Sequence, residues 1–321
     1  MKRFFWSVCA ALFFLMTQHA FAAEFTKNIR VIVPFAAGGG NDVIVRLLTD
    51  LAPKHLNGKQ LIVENIPGGG AVIGTTAAAK SKPDGYTLIA HAASVITSVL
   101  TMPKEVTYKI ETFIPLVMYC FDPVVLIVKK DSPHKDLESF LAAAREKPVN
   151  LNTPGNSTVQ HLAGMILEKY MGSKINYVHT DSAGIQMTQI LGGHVDATMC
   201  SMGEAASYLQ EGSLRCLGIF SDKKFPSMPP MQPFSSVGLR IDGKNLEWGA
   251  MRGLAALAGT PAPMLQALEK AIFAMASEPA FAERMAKGGF PLVLGGSKEY
   301  QEICKTYETV AREMLARLQA K

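Results

Sequence analysis

Short β-branched runs alternating with helical stretches predict an α/β protein of two lobes, each a mostly parallel sheet flanked by helices. Three observations carry that expectation. The chain has 321 residues, 48% apolar and 18% charged, enough for two cored domains and unlike a disordered chain. A strand–turn–helix plan begins at residue 29 and restarts at residue 124. From residue 263 onward the pattern is mainly helical, so these helices are expected to pack back on the first lobe. The first lobe is then 23–123 with 248–321, and the second is 124–247. Two passages of the chain between lobes make hinge closure over a cleft physically natural.

Residues 1–22 read as a signal peptide. Lys2 and Arg3 precede an apolar run at 4–16, and Ala20-Phe21-Ala22 gives the small-x-small pattern that places cleavage after Ala22. The run is shorter than the roughly 20 residues a spanning helix needs. Cys9 lacks the surroundings a lipid anchor requires. Cleavage removes two basic and no acidic side chains, leaving 299 residues with a net charge of +3. The expected product is exported, soluble and periplasmic. No Lys/Arg-rich block suited to nucleic acid is present. Cys120, Cys200, Cys216 and Cys304 lie in apolar stretches, which favours buried free thiols, while an even count in an oxidising compartment leaves disulfides open.

The elements follow in order. Residues 29–35 form a strand, 36–40 a turn, and Asp42 opens a helix whose Val43, Leu47 and Leu51 make one stripe. Residues 61–65 repeat the plan, followed by Pro67-Gly68-Gly69-Gly70 and an alanine-rich helix. A third strand, 86–90, runs into His91-Ala92-Ala93-Ser94 and a further helix. The second lobe opens with a strand at 124–128, a helix at 137–145 and a strand at 149–153. The polar turn at 154–158 can cap the helix that starts near Val159. Strands at 175–178, 195–199 and 214–220 come next, with a helix between the first two opened by Ala183-Gly184. Residues 221–233 read as irregular surface and 249–258 as a last strand.

Ligands of open parallel sheets bind beyond the carboxyl ends of the strands. There, Gly38-Gly39-Gly40-Asn41-Asp42 leaves backbone N–H groups free to meet an anion, with Asn41 or Asp42 as N-cap. Gly68-Gly69-Gly70 and Asn156-Ser157-Thr158 offer the same chemistry. No turn carries the Gly-Lys-Ser/Thr ending of a P-loop, and Ile73 stands where a dinucleotide fingerprint needs glycine. No G-x-S-x-G elbow or H-E-x-x-H pair occurs, and His91 and His179 are the histidines nearest strand ends. No catalytic group, metal or cofactor is expected.

The stretch Ile29-Arg30-Val31-Ile32-Val33-Pro34-Phe35-Ala36-Ala37-Gly38-Gly39-Gly40-Asn41-Asp42 resembles the opening signature of the Bug/TctC family of periplasmic solute-binding proteins. Val63-Glu64-Asn65-Ile66-Pro67-Gly68-Gly69-Gly70 and Pro83-Asp84-Gly85-Tyr86-Thr87-Leu88 resemble its second and third motifs, with Ala71-Val72 departing from the usual Gly-Asn. Further matches are His161-Leu162-Ala163, Leu191-Gly192-Gly193-His194-Val195-Asp196 and Ala258-Gly259-Thr260-Pro261, in order along nearly the whole mature chain.

The resemblance implies a two-lobed periplasmic binding protein (Venus-flytrap) fold. It implies an extracytoplasmic solute receptor, not an enzyme, that captures a small organic carboxylate for the permease subunits of a tripartite tricarboxylate transporter. Mono- and dicarboxylates, aromatic ones included, fit that role, and a monomer is expected. One carboxylate end would be held by backbone N–H groups and ordered water. The implied site takes Phe35, Ala37, Gly38, Gly39, Gly40, Asn41 and Asp42 from the first loop. It takes Ala93 and Ser94, then Thr153, Gly155, Asn156, Ser157 and Thr158, and finally Thr180 and Asp181. No arginine lies in the first or second-lobe loop, and Arg30 and Arg46 read as structural. Asp181 would repel a second carboxylate, which points to a ligand with one held carboxylate and a polar or uncharged far end. Met199, Cys200 and Met202 read as core. A ligand-sensing input to a membrane signalling partner and a periplasmic enzyme on the same scaffold are the other two readings.

Overall fold

The computed structural model describes residues 25–319, apart from 226, 227 and 242; the signal peptide expected at 1–22 lies outside the described residues. β1 (Ile29–Val33) pairs in parallel with β2 (Leu61–Asn65) and β3 (Thr87–Ala92). These three alternate with α1 (Gly40–Thr49), the short α2 (Ala52–His55), α3 (Val72–Ala79) and, after β3, α4 (Ala93–Thr101). β4 (Phe113–Lys129) comes next and continues into the second half of the sheet. There α5 (Leu137–Glu146), β5 (Val149–Thr153), α6 (Val159–Met171), β6 (Ile175–His179), α7 (Ala183–Leu191), β7 (Ala197–Ser201), α8 (Met202–Gln210) and β8 (Leu214–Ile219) follow. β9 (Gly249–Leu257), α9 (Ala262–Ala276), α10 (Pro279–Lys287), β10 (Leu292–Gly295) and α11 (Ser297–Gln319) complete the chain.

The sheet is mixed rather than mostly parallel. β5 is parallel to β6 and β7, as β1 is to its neighbours. Between these parallel sets, β9 runs antiparallel to both β3 and β4, and β4 runs antiparallel to β7, β8 and β10. The sequence pattern hid this ribbon because Pro115 and Pro123 interrupt the apolar run of 113–123, and proline normally argues against a central strand. Here the register shifts between Pro115 and Val117. Pro123 ends the ladder with β9, opposite Gly249, and Val124 begins the ladder with β7, opposite Ser201. A residue with no N–H sits where β4 changes partners.

Two further expectations change in detail. Helix α1 buries Ile44, Val45 and Leu48 fully and leaves Val43 and Leu47 half-buried, with Leu51 half-buried just past its end, because sheet and α10 press on it from two sides. β10 was absent from the mainly helical reading of the carboxy-terminal region. Helices α9 and α10 join the core of the first half through Leu268, Ile272, Met275, Phe281 and Met285. Helix α11 packs on α4 of the first half and also reaches the core of the second half. Its Tyr307 ring stacks on Trp248 at 4.6 Å between centroids, while its Tyr300 hydroxyl lies 2.8 Å from His91 Nδ1 in the first half. The two cores are thus joined by one helix as well as by β4. Cys120, Cys200, Cys216 and Cys304 are unpaired thiols. Cys200 and Met202 belong to one core cluster and Met199 to another.

Candidate functional site

The strands β1, β3, β5, β6 and β7 each lead into a helix, β3 and β7 directly and the others through a turn, and these junctions face one another across a cavity of ≈ 40 Å³. Four helices present their N-cap and first turn to it: Gly39 and Gly40 of α1, Ala92 and Ala93 of α4, Thr158 and Val159 of α6, Ser182 and Ala183 of α7. Glu204, in the first turn of α8, adds a fifth. Each such end carries roughly half a positive charge from its aligned peptide dipoles and unpaired N–H groups. Convergence of that kind suits an anion.

Of the residues expected at the site, Phe35, Gly39, Gly40, Asn41, Ala93, Ser94 and Thr158 line the cavity. The remaining residues lie around it. Ala37 and Gly38 are exposed. Asp42 does not cap α1; Gly39 is the N-cap, and Asp42 instead accepts from the Gly38 N–H at 2.9 Å and pairs with Arg46 and Asn65. Burial opposes its charge, but these bonds hold Asp42 below the usual carboxylate range. Arg46 is therefore structural, as expected. Thr153 bonds His179 Nδ1 at 2.8 Å, and Thr180 donates to the Thr153 carbonyl. Asp181 is exposed and outside the lining, whereas its neighbour Ser182 lines the cavity and caps α7.

Gly155 and Asn156 meet the glycine turn after β2, and Ser157 meets α4. A Cβ at Gly70 would meet the Asn156 carbonyl, and Gly70 Cα lies 3.0 Å from where a Cβ of Gly155 would stand. Both glycines have positive φ, +63° and +138°, so glycine serves both the turn and the approach. Thr97 Oγ1 on α4 donates to the Ser157 carbonyl at 2.6 Å. Ser157 itself takes φ +61°, held by its N–H donating to His161 Nδ1 at 3.1 Å. Burial, with His179 close by, keeps His161 down to about 4, so its Nδ1 remains an acceptor at neutral pH.

The sequence reading missed the charged part of the site. Arg252 on β9 is 1% exposed and lines the cavity together with Glu204, Gln160, Pro154 and Ala250. Its Nη2 donates to Glu204 Oε1 at 3.0 Å and to Ser201 Oγ at 2.9 Å, and lies 3.5 Å from Asp122 Oδ2. Gln160 donates to the same Ser201 oxygen at 2.9 Å. Burial works against the guanidinium charge, but Glu204 and Asp122 hold its pKa above the ordinary value. Burial, countered by Arg252 and reinforced by Glu204, pushes Asp122 up to about 7. The signal was present: Asp122, Glu204 and Arg252 are single charges in apolar runs, and buried charges are paired.

Four polar atoms on residues that line this cavity are buried without a hydrogen-bond partner: Arg252 Nε, Arg252 Nη1, Asn41 Oδ1 and Ser94 Oγ. Orphaned groups of this kind are uncommon in folded proteins and mark where a ligand or water completes the bonding. Among the described residues no group of three or more His, Cys, Asp or Glu side chains is arranged to hold a metal.

The profile of the tripartite tricarboxylate transporter family receptor (TctC) matches residues 44–317. A Cupriavidus necator protein, described as the UPF0065 protein in the gbd 5' region, is 30% identical over 314 residues, covering 93% of this chain and 89% of that protein. The crystal structure of a TctC solute binding protein from Polaromonas, without ligand, is similar at 26% identity and a TM-score of 0.67, covering 91% of this chain and 99% of that one. MatC of Rhodopseudomonas palustris, solved with bound malate, shares the fold at 24% identity and a TM-score of 0.78, over 92% of this chain and 98% of that one.

Proposed function

The chain belongs to the tripartite tricarboxylate transporter receptor (TctC) family, and from that premise we propose that it is a periplasmic receptor that closes over one small organic acid. The fold and family are those of solute-binding proteins. Among the described residues no helix is long and apolar enough to cross a membrane. The signal peptide cleaved after Ala22, delivery to permease subunits, and a monomeric, non-enzymatic protein with 23–123 and 248–321 as one lobe and 124–247 as the other are parts of the same proposal.

One observation carries the reading: Arg252 Nε and Nη1 are buried, unpartnered donors at a cavity ringed by helix N-termini. A ligand carboxylate supplies the missing acceptor, and charge-assisted bonds of this type contribute about 1.5–3 kcal/mol each. A few of them reach the ~8 kcal/mol of a micromolar receptor. In this reading Arg252 joins the backbone N–H groups and ordered water expected from the sequence. Closure through Gly70 and Asn156 seals the chamber from water and strengthens each bond.

The malate of the R. palustris structure belongs to that protein and serves here only as one compound of a test panel. Thermal unfolding against mono-, di- and tricarboxylates tests the proposal, since a ligand at 100 times its Kd adds ~2.7 kcal/mol. Stabilisation by at least one acid, lost in Arg252→Met, is the expected result. No shift with any acid would remove the reading.

A further inference from the structure

We propose that Glu204 is the specificity-determining residue of this chamber: a resident carboxylate that restricts the ligand to acids with a single ionised carboxylate and a hydrogen-bond donor at the other end. The inference rests on the receptor reading above and deepens it.

Glu204 already occupies part of the anion position. Its Oε1 accepts from the Gly40 N–H at 3.3 Å, at the start of α1, and from Arg252 Nη2 at 3.0 Å. Its Oε2 accepts from the Ser201 N–H at 3.1 Å, closing a capping box on α8. The carboxylate is therefore fixed from two sides, by α1 across the cleft and by its own helix. The N–H that the glycine-rich loop would offer a ligand is taken by the protein.

The charge balance follows from the same contacts. Arg252 pairs with Glu204 and has the Asp122 carboxyl group 3.5 Å away, so its positive charge is offset before any ligand enters. What remains for a ligand is the pair of unpartnered donors on Arg252 and the helix N-termini, which suffice for one carboxylate. A second ionised carboxylate would enter the same cavity, whose lining includes Glu204. It would be held beside Glu204 in a low-dielectric space where like charges repel strongly. The other orphans state the complementary preference. Asn41 Oδ1 is an acceptor without a donor, and Ser94 Oγ lacks any partner. A ligand amide, ammonium or hydroxyl satisfies them. Asp181, exposed and outside the lining, is not placed to impose this selection.

Matched pairs that exchange one carboxylate for a primary amide test it: malonate and malonamate, succinate and succinamate, glutarate and glutaramate, titrated calorimetrically into the full chain. The wild type is expected to bind the monoamide of the best-fitting pair at least tenfold more tightly than the diacid. Glu204→Gln keeps the capping geometry and removes the charge, and it is expected to shift that ratio at least tenfold toward the diacid. Asp122→Asn, which removes the other charge but leaves Glu204 in place, serves as the second variant should Glu204→Gln fold poorly; its ratio is expected to stay on the monoamide side. A wild type that binds the diacid as tightly as its monoamide overturns the inference while leaving the receptor reading intact. So does a ratio indifferent to Glu204→Gln. Failure of every member of every pair, with no carboxylate stabilising the protein either, overturns the receptor reading and this inference with it.

Discussion

Arg252 Nη1 lies against the Cα of Gly40 so closely that a Cβ at position 40 would overlap the guanidinium. The glycine-rich loop of the first half and the buried arginine of β9 are two sides of one contact. Glycine 40 is needed less for its backbone freedom than for the space it leaves.

Gly40→Ala is therefore expected to displace Arg252 from Glu204 and Ser201. Overpacking at a fully buried charged contact costs typically 1–3 kcal/mol, with more where an ion pair is disturbed. Urea denaturation should show the loss, and the acid that stabilises the wild type should no longer do so. Wild-type stability and binding in this variant would mean that the contact is incidental.

Arg252→Met leaves Asp122 and Glu204 buried without their counter-charge, and removing one partner of a buried ion group costs about 3–5 kcal/mol. Adding Asp122→Asn and Glu204→Gln to Arg252→Met should restore most of that stability, because no buried charge is then left unpaired. Ligand binding should stay absent in the triple variant. The separation of recovered stability from lost binding is the informative result.

The alternation of strand and helix was legible because it is local. Residues 29–35, 86–90 and 149–153 each announce a strand and are followed within a few residues by a helix start. The turns that line the cavity were legible for the same reason, and Gly39, Gly40, Asn41, Ser94 and Thr158 are at its wall. What could not be read from local pattern is what the sheet assembles from distant segments. Asp122, Glu204 and Arg252 come from β4, α8 and β9, and only the antiparallel ribbon of β4 with β9 brings them together. That ribbon was hidden by Pro115 and Pro123. The fixed place of Gly68-Gly69-Gly70 is also a tertiary fact: a turn with the composition of an anion cradle meets the Asn156 carbonyl of the opposite half.

Asp122→Asn should reveal a pH dependence of stability. Burial pushes the wild-type carboxyl up to about 7 in the folded state, above its unfolded value near 4. The folded state then binds more protons through that window, so this group's contribution to stability falls as pH rises from about 4 to about 7. The asparagine variant lacks the titration. Its stability relative to wild type should rise across the same window and level off above it, as measured by urea denaturation at intervals from pH 5 to pH 8. A difference that is constant with pH would contradict the burial assigned to Asp122.

Gly70→Ala probes closure. The added methyl meets the Asn156 carbonyl across the cleft, and the positive φ adds about 1 kcal/mol of strain. The acid that stabilises the wild type should bind at least tenfold more weakly, while the separate cores of the two halves keep most of their stability. Unchanged affinity would show that the Gly70–Asn156 approach does not form in the bound state.

Trp248→Phe removes the Nε1–H bond to the Val159 carbonyl at the start of α6, 2.9 Å in the wild type, and keeps a ring to stack on Tyr307. A loss of about 1–2 kcal/mol in denaturant is expected, since the carbonyl is left buried without that donor. A neutral substitution would mean that the Nε1–H bond to α6 contributes nothing to stability.

Native mass spectrometry of the protein purified from a periplasm tests the central claim most directly, with wild type and Arg252→Met prepared side by side. The account predicts that the wild type retains a small organic acid, that partial unfolding and dialysis release it, and that the variant carries none. A bare wild-type mass that no carboxylate changes, or the same acid bound equally by both proteins, would contradict the assignment of Arg252 and its chamber as the binding site.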